Sequence, residues 1–360
     1  MTTTTNGAAG DLAAAIDQPL SQRKLPRWAP WGSLAVAVVL SLAVLLPGGT
    51  SKGAVAVLAA LLHLVVIGVA SGVREGSRKA KDRLVTALVT IAFLVAMVPL
   101  VSVVWTVVDN GRHRLDADFF TMSMFRIVGE GGGALHAIWG TIIITLIATV
   151  ISVPIGLMTA VYLVEYGAGS RLARAITFLV DVMTGIPSIV AGLAVAALFA
   201  LVSGPGTKLG IMGAIALAIL MVPTVVRSTE EMLKLVPNDL REAAYALGVP
   251  KWRTVVKVVL RTSVSGIATG ITLAVARVAG ETAPLLITVG ITTGSNFNPF
   301  EGRMATLPVY AFYQYTQPGV PAAAGTERAW TAALVLIALV MLLNLVARLI
   351  SRFFAPKTGR

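Results

Sequence analysis

Arg277 and Glu281 stand four positions apart in a run, Ser263 to Thr288, that is otherwise apolar or small. On one helix that spacing puts both side chains on the same face, one turn apart. If the run is a single span beginning near Val264, Arg277 lies about 20 Å along it at 1.5 Å per residue. That is close to the middle of a hydrocarbon layer about 30 Å thick. A charge at such a depth costs at least a few kcal/mol and faces a protein interior or a water-filled path. Two readings stay open: an internal ion pair that locks helices together, or a polar step on a route for a solute. Pro284 follows closely, removing one helical N–H and crowding the carbonyl of Gly280. A kink or a short unwound stretch beside Glu281 is therefore expected, and its freed backbone groups need an interior or a wet cavity. Pro187, after Gly185 and beside Ser188, marks a second weak point, and Pro154 and Pro223 add two more.

The elements that position these residues belong in a bilayer. Hydrophobic residues make up 56% of the chain against 13% charged, and the mean hydropathy is +0.83, well beyond an ordinary globular domain. The 34 glycines suit close helix packing in a membrane. With no cysteine, disulfides and thiolate metal sites are excluded. His63, His113 and His136 are too far apart to suggest a ligand set, and His63, in an apolar run, reads as hydrogen-bonded within the bundle.

Eight apolar spans are legible, at 31–47, 53–73, 84–108, 138–163, 175–202, 209–226, 264–290 and 329–350. With the N-terminus inside, the inner segments carry about three times as many Lys and Arg as the outer ones, which sets both termini in the cytoplasm. The net charge of +12 is thus a topology signal and not a sign of nucleic-acid binding. The basic loop from Arg74 to Arg83 is also placed to touch anionic lipid. Residues 1–28 read as a disordered cytoplasmic tail, and 29–83 as a two-helix extension with a basic cytoplasmic loop. Pro47-Gly-Gly-Thr offers no small-x-small cleavage pattern, so the first two spans read as a retained hairpin. The outer stretches 109–137 and 291–328 are long; aromatics in the second, Phe297 to Tyr315, form either a headgroup belt or a docking surface for an external partner.

The cytoplasmic loop 227–262 carries a short helix, expected over 239–247. Asn238 is a good N-cap and Asp239 complements the positive helix end. Leu240, Ala243, Ala244 and Leu247 form one narrow apolar face, Gly248 ends the helix, and Pro250 prevents its return. That face must be covered either by the chain's own bundle or by a groove in a soluble partner.

The segment Glu242-Ala243-Ala244-Tyr-Ala-Leu247-Gly248 resembles the EAA loop of ABC importer permeases, with Arg261 standing where that family usually has proline. Ala276-Arg277-Val-Ala-Gly280-Glu281-Thr282-Ala283-Pro284-Leu285 resembles the signature of PstA-type phosphate permeases. Gly185-Ile-Pro187-Ser188-Ile-Val-Ala-Gly192-Leu193, Tyr162-Leu-Val-Glu165-Tyr166-Gly167 and Arg227-Ser-Thr-Glu230-Glu231 are similar to further segments of that family, in order, over about residues 84–355.

The resemblance implies an all-α, polytopic transmembrane bundle: a six-helix importer core over 84–355, preceded by two extra helices. It implies a non-catalytic subunit in the bacterial plasma membrane, paired with a homologous PstC-type permease. Two ATP-binding subunits and an extracytoplasmic phosphate-binding protein complete the implied assembly, with inorganic phosphate as cargo and no cofactor on this chain. Glu242, Ala243, Ala244, Leu247 and Gly248 would dock in a cleft of the ATPase. For phosphate, the Arg277 guanidinium supplies paired donors and stays charged. Glu281 would hold it when no anion is present, while Thr282, Ser188 and Thr184 serve as neutral donors beside Pro284. No Gly-x-x-x-x-Gly-Lys-Ser/Thr loop occurs, so ATP binding falls to a partner. Two alternatives remain at this stage: another oxyanion such as sulfate or molybdate, or a self-contained secondary transporter or channel.

Overall fold

The computed structural model describes residues 25–45 and 51–354, and their regular elements are all helical. The tail expected over 1–28 lies outside the described residues as far as residue 24. Contacts divide the chain into two units between Val104 and Trp105.

In the first unit, α1 (Ala29–Leu45) packs along α2 (Lys52–Glu75), and α3 (Ser77–Gly111) starts directly after Gly76. The Ser33 hydroxyl meets His63 Nδ1 at 3.0 Å, which is the hydrogen bond expected of a histidine in an apolar helix. At the C-terminal end of α2, Glu75 accepts from Arg83 Nε at 2.5 Å and Nη2 at 2.9 Å, from the Ser71 hydroxyl, and from the Leu25 amide. The buried carboxylate is thus compensated on every side.

In the second unit, a 3₁₀ turn (Arg112–Arg114) and α4 (Ala117–Thr121) lead to α5 (Leu135–Val161), which ends in a π-helical turn, Tyr162–Tyr166. Then come α6 (Arg171–Thr184), α7 (Ser188–Ser203), α8 (Gly210–Lys234) and α9 (Asn238–Ala246). Next, α10 (Lys251–Thr254), a second π-helical turn (Val255–Val259) and α11 (Leu260–Ala279) run on as one rod. The unit closes with α12 (Ala283–Thr288), α13 (Leu307–Thr316) and α14 (Ala322–Phe354).

Its core lies where α5, α8 and α11 meet, around Ile144, Ala148, Leu217, Met221, Ala274 and Val278. Small residues set the approach: a Cβ on Gly156 would meet Val225 at 2.7 Å, and one on Gly270 would meet the Ser228 hydroxyl at 2.5 Å. Backbones this close gain the van der Waals contact that holds helices together in lipid. Of the outer aromatics, Phe297, Phe300, Phe312 and Tyr315 are exposed, whereas Tyr310 is buried edge-on against His136.

Among the described residues, six helices are long and apolar enough to cross a membrane, or seven if the bent pair α6–α7 counts as one span. One of the expected spans therefore needs correction. The first, α1, is present as a shorter apolar helix over the described residues. The fifth is no single span, since α6 and α7 meet at 107°. Gly185 caps α6, and Pro187 forces the residue before it away from helical geometry. α6 is amphipathic, carrying Arg171, Arg174 and Asp181 on an otherwise apolar helix, unlike the uniformly apolar α7. The seventh span is interrupted between Ala279 and Ala283, where the sequence analysis expects the break.

Candidate functional site

The interruption in the seventh span comes where proline demands it. α11 stops at Ala279, Gly280 caps it, and α12 begins with Pro284 in its first turn, where the missing N–H costs nothing. The unwound stretch expected beside Glu281 is therefore Gly280–Thr282, and the Glu281 amide donates to the Val278 carbonyl at 3.1 Å. The expected one-turn spacing does not survive this break, because Glu281 lies beyond the helix that carries Arg277. Among the described residues neither side chain makes an ion pair. Arg277 is exposed in the last turn of α11, where carbonyl ends favour a cation, and Glu281 and Thr282 are half-buried.

α12 is wedged between α7 and α8. A Cβ on Gly192 would fall 2.7 Å from Pro284 Cα, one on Gly213 would fall 2.3 Å from Val289, and the Leu209 amide donates to the Thr288 carbonyl at 3.2 Å. The two helix breaks are thereby neighbours: α7 starts at Ser188, one turn before the glycine that touches Pro284. Ser188 is half-buried at that start, whose first amides have no side-chain cap. Thr184 is exposed and donates its hydroxyl to the Val180 carbonyl of its own helix at 2.9 Å.

On the opposite side of the break, α9 follows the sequence reading with two differences. It starts one residue earlier, and its N-cap is Pro237, with no side-chain cap bond. Asn238 stands inside the first turn, and its side-chain oxygen accepts from Arg241 Nη1 at 3.2 Å. The C-terminal end agrees: Gly248 takes φ +75°, and the Gly248 and Val249 amides donate to the Tyr245 and Ala244 carbonyls. Of the narrow apolar face only Ala244 is buried. Leu240, Ala243 and Leu247 are exposed, as are Glu242 and Gly248, and Leu247 is 84% exposed. The chain's own bundle does not cover this face.

Two charged groups near the C-terminal part of α8 escaped the sequence reading. Arg227 bonds Asp181 of α6 and Glu230 of its own helix, with Lys234 on the other oxygen of Glu230 at 2.7 Å. Arg241 of α9 reaches Glu165 in the π-helical turn at 2.8 Å, with side chains 13% and 5% exposed. The only signal was indirect, since Arg227, Glu230 and Glu165 fall in motif segments and Arg241 precedes Glu242.

The family described as the binding-protein-dependent transport system inner membrane component matches residues 152–360. The chain belongs to this family. It is 45% identical over 286 residues to the phosphate transport system permease protein PstA 1 of Mycobacterium tuberculosis, covering 79% of this chain and 91% of the relative. PstA of Yersinia pestis is 41% identical over 79% of this chain and 93% of its own length. For PstA of Pasteurella multocida the figures are 39%, 78% and 97%. Among solved structures, an inward-facing MetNI methionine ABC transporter chain aligns with TM-score 0.51 at 22% identity, over 62% of this chain and 96% of that one. A chain of a bacterial alginate ABC transporter, solved with an alginate-bound periplasmic protein, aligns with TM-score 0.56 at 15% identity, over 80% and 100%. These two likenesses show that the chain shares the fold of those ABC transporter chains, and its apolar helices make it a multi-pass membrane protein.

Proposed function

We propose that this chain is the PstA-type permease subunit of an ATP-driven importer that carries inorganic phosphate into the cytoplasm. The observation that carries the cargo is the shared name of relatives from three bacteria, each matching over nearly its full length. The exposed apolar face of α9 supports the coupling: a capped, rigid helix with Leu240, Ala243 and Leu247 uncovered is a knob for a groove in an ATP-hydrolysing subunit. The remaining partners are a homologous PstC-type permease and an extracytoplasmic phosphate-binding protein. ATP is bound by the partner, and this chain needs no cofactor of its own. Both termini face the cytoplasm, the orientation favoured by the basic inner loops.

The route for phosphate passes the paired breaks. Arg277 meets the anion with two parallel N–H donors, Ser188 and Thr282 add neutral ones, and Pro284 keeps the backbone open beside Glu281. Glu281 weakens the grip on the passing anion by repulsion, so that a fixed cation does not trap it. Thr184 contributes less, because its hydroxyl is already engaged with Val180. ATP binding moves α9 and alternates access between the two permeases.

The test is uptake of labelled phosphate by the four-component complex in vesicles, with Arg277→Gln in this chain and assembly verified by stoichiometry. Loss of at least about tenfold is expected, the effect of removing one charge-assisted contact. Undiminished uptake removes Arg277 from the route.

A further inference from the structure

Apart from its chain ends, α9 has two ties to the membrane bundle. On one side Ala244 is buried and its carbonyl accepts from the Val249 amide at 3.1 Å, seating α9 on α10 and the π-helical turn Val255–Val259. On the other side stands Arg241. Its Nη2 and Nε donate to one Glu165 oxygen at 2.8 and 3.1 Å. Nη2 also donates to the Leu233 carbonyl at 3.0 Å, and Nη1 to the Val236 carbonyl at 2.6 Å and to Asn238 at 3.2 Å. Among the described residues, every side-chain hydrogen bond that leaves α9 comes from this guanidinium.

We propose that Arg241 and Glu165 form the joint through which displacement of α9 is passed to α5, as positioning residues for transport and not as part of the solute route. This deepens the reading that α9 docks on an ATPase, and rests on it. The argument is mechanical. The chain joins α9 directly only to α8 and α10, and Pro237 at one end and Gly248-Val-Pro250 at the other interrupt the helical ladder at both links. Arg241 crosses 76 positions of sequence to reach α5, which the chain connection alone would let lag behind. It also grips the Leu233 carbonyl in the last turn of α8 and the Val236 carbonyl just beyond it, so the end of α8, the start of α9 and the end of α5 are fastened at one atom group. Lysine cannot replace it, since one ammonium lacks the planar fork that serves a carboxylate and two carbonyls together.

The receiving end suits the task. Glu165 sits in a π-helical turn, whose wide hydrogen-bond ring interrupts the regular ladder and recurs at functional places in helices. The second π-helical turn lies beneath the other side of α9. The docking helix is thus carried between two π-helical turns of the bundle. Because both partners are largely buried, removing either charge leaves the other unmatched, so the joint resists parting under load.

The chain has no cysteine, so Met158→Cys on α5 and Leu247→Cys beside α9, 69% and 84% exposed, give clean spin-label sites. With Arg241 and Glu165 intact, one narrow distance distribution is expected between them. Arg241→Lys and Glu165→Gln should each broaden it, and Glu165→Asp should restore most of the narrowness. In the reconstituted complex the same two variants should hydrolyse ATP at near the wild-type rate. Phosphate moved per ATP should fall by about fivefold or more, within the range of mutations that alter coupling. Unchanged label distances together with unchanged phosphate per ATP overturn the joint. If no ATPase associates with the wild-type chain, the reading of α9 as a docking helix fails, and the label distances alone decide whether Arg241 anchors it. Glu165→Gln preserves shape and removes only charge, so it stands in wherever Arg241→Lys fails to accumulate.

Discussion

The contact between Gly192 of α7 and Pro284 of α12 is where the two helix breaks meet, and it permits a quantitative test. A methyl group at position 192 would lie 2.7 Å from Pro284 Cα, 3.0 Å from its carbonyl oxygen and 3.2 Å from its Cβ, all inside the 3.4 Å at which ordinary contact begins. Two of those atoms are backbone, in a first helical turn stiffened by proline, and cannot rotate away. α12 cannot retreat either, because Gly213 already brings Val289 and Leu285 against α8 on its other side. Gly192→Ala should therefore cost about 1–3 kcal/mol, the usual penalty of overpacking a filled core, and Gly192→Val more. If the breaks form the route, the strain falls on it directly, and phosphate uptake should drop by more than the loss of folded complex explains. The control is Gly280→Ala, whose new methyl would meet nothing nearer than the Arg277 carbonyl at 3.9 Å. It should melt with the wild type. The assay pairs thermal unfolding in detergent with uptake per assembled complex. A Gly192→Val protein that melts and transports like wild type would refute the packing of α12 against α7.

Other outcomes follow from single residues. Leu247→Asp should leave the fold within about 0.5 kcal/mol, as exposed substitutions do, yet weaken capture of the ATPase about tenfold or more in pull-down, as loss of an interface anchor does. Gly248→Ala forces a side chain into a left-handed turn at φ +75°. It should cost about 1–2 kcal/mol and lower ATPase capture less than Leu247→Asp does. Arg83→Ala strips the guanidinium from the buried Glu75 carboxylate, so limited proteolysis should open the N-terminal unit first while the second unit resists.

Much of this was legible in the residues because the bilayer narrows the choices. Apolar runs had to become helices, and the capped α9 announced itself through Asp239, its narrow face and Gly248. Pro284 also announced a break. What it could not announce was the consequence for Arg277 and Glu281: a four-residue spacing means one face only while the helix continues, and here it stops between them. Pro187 marked a weak point but not the size of the bend, because the apolar side of the amphipathic α6 runs on into the uniformly apolar α7 and the two read as one span. Asn238 was misplaced by one position, since proline also starts helices and occupies the cap instead. Arg241 was illegible for a different reason. Its partner is set by the packing of α5 beside α8, and no local pattern around either residue encodes a distance of 76 positions.

The two ends of the proposed mechanism are joined by α8. Its N-terminal half walls α12, through Gly213 against Val289, and its C-terminal half lies on α11, through Ser228 against Gly270 and Met232 against Gly266. The Leu233 carbonyl in its last turn is held by Arg241. Close-packed helices separated by glycine cannot deform gradually, because any slide brings backbone into side chain; they move as a rod or rest in place. Under the proposal, a pull on α9 reaches the break at Gly280–Thr282 by two paths, along α8, which Arg241 grips, and along the rod from α10 to α11. α12 is separated from that rod by Gly280–Thr282, where the α-helical ladder is broken and the Glu281 amide turns back to the Val278 carbonyl instead. The proposal thus gives the unwound segment a mechanical use besides lining a path: it is the place where rigid-body motion arriving from α9 would be converted into a local change beside Arg277.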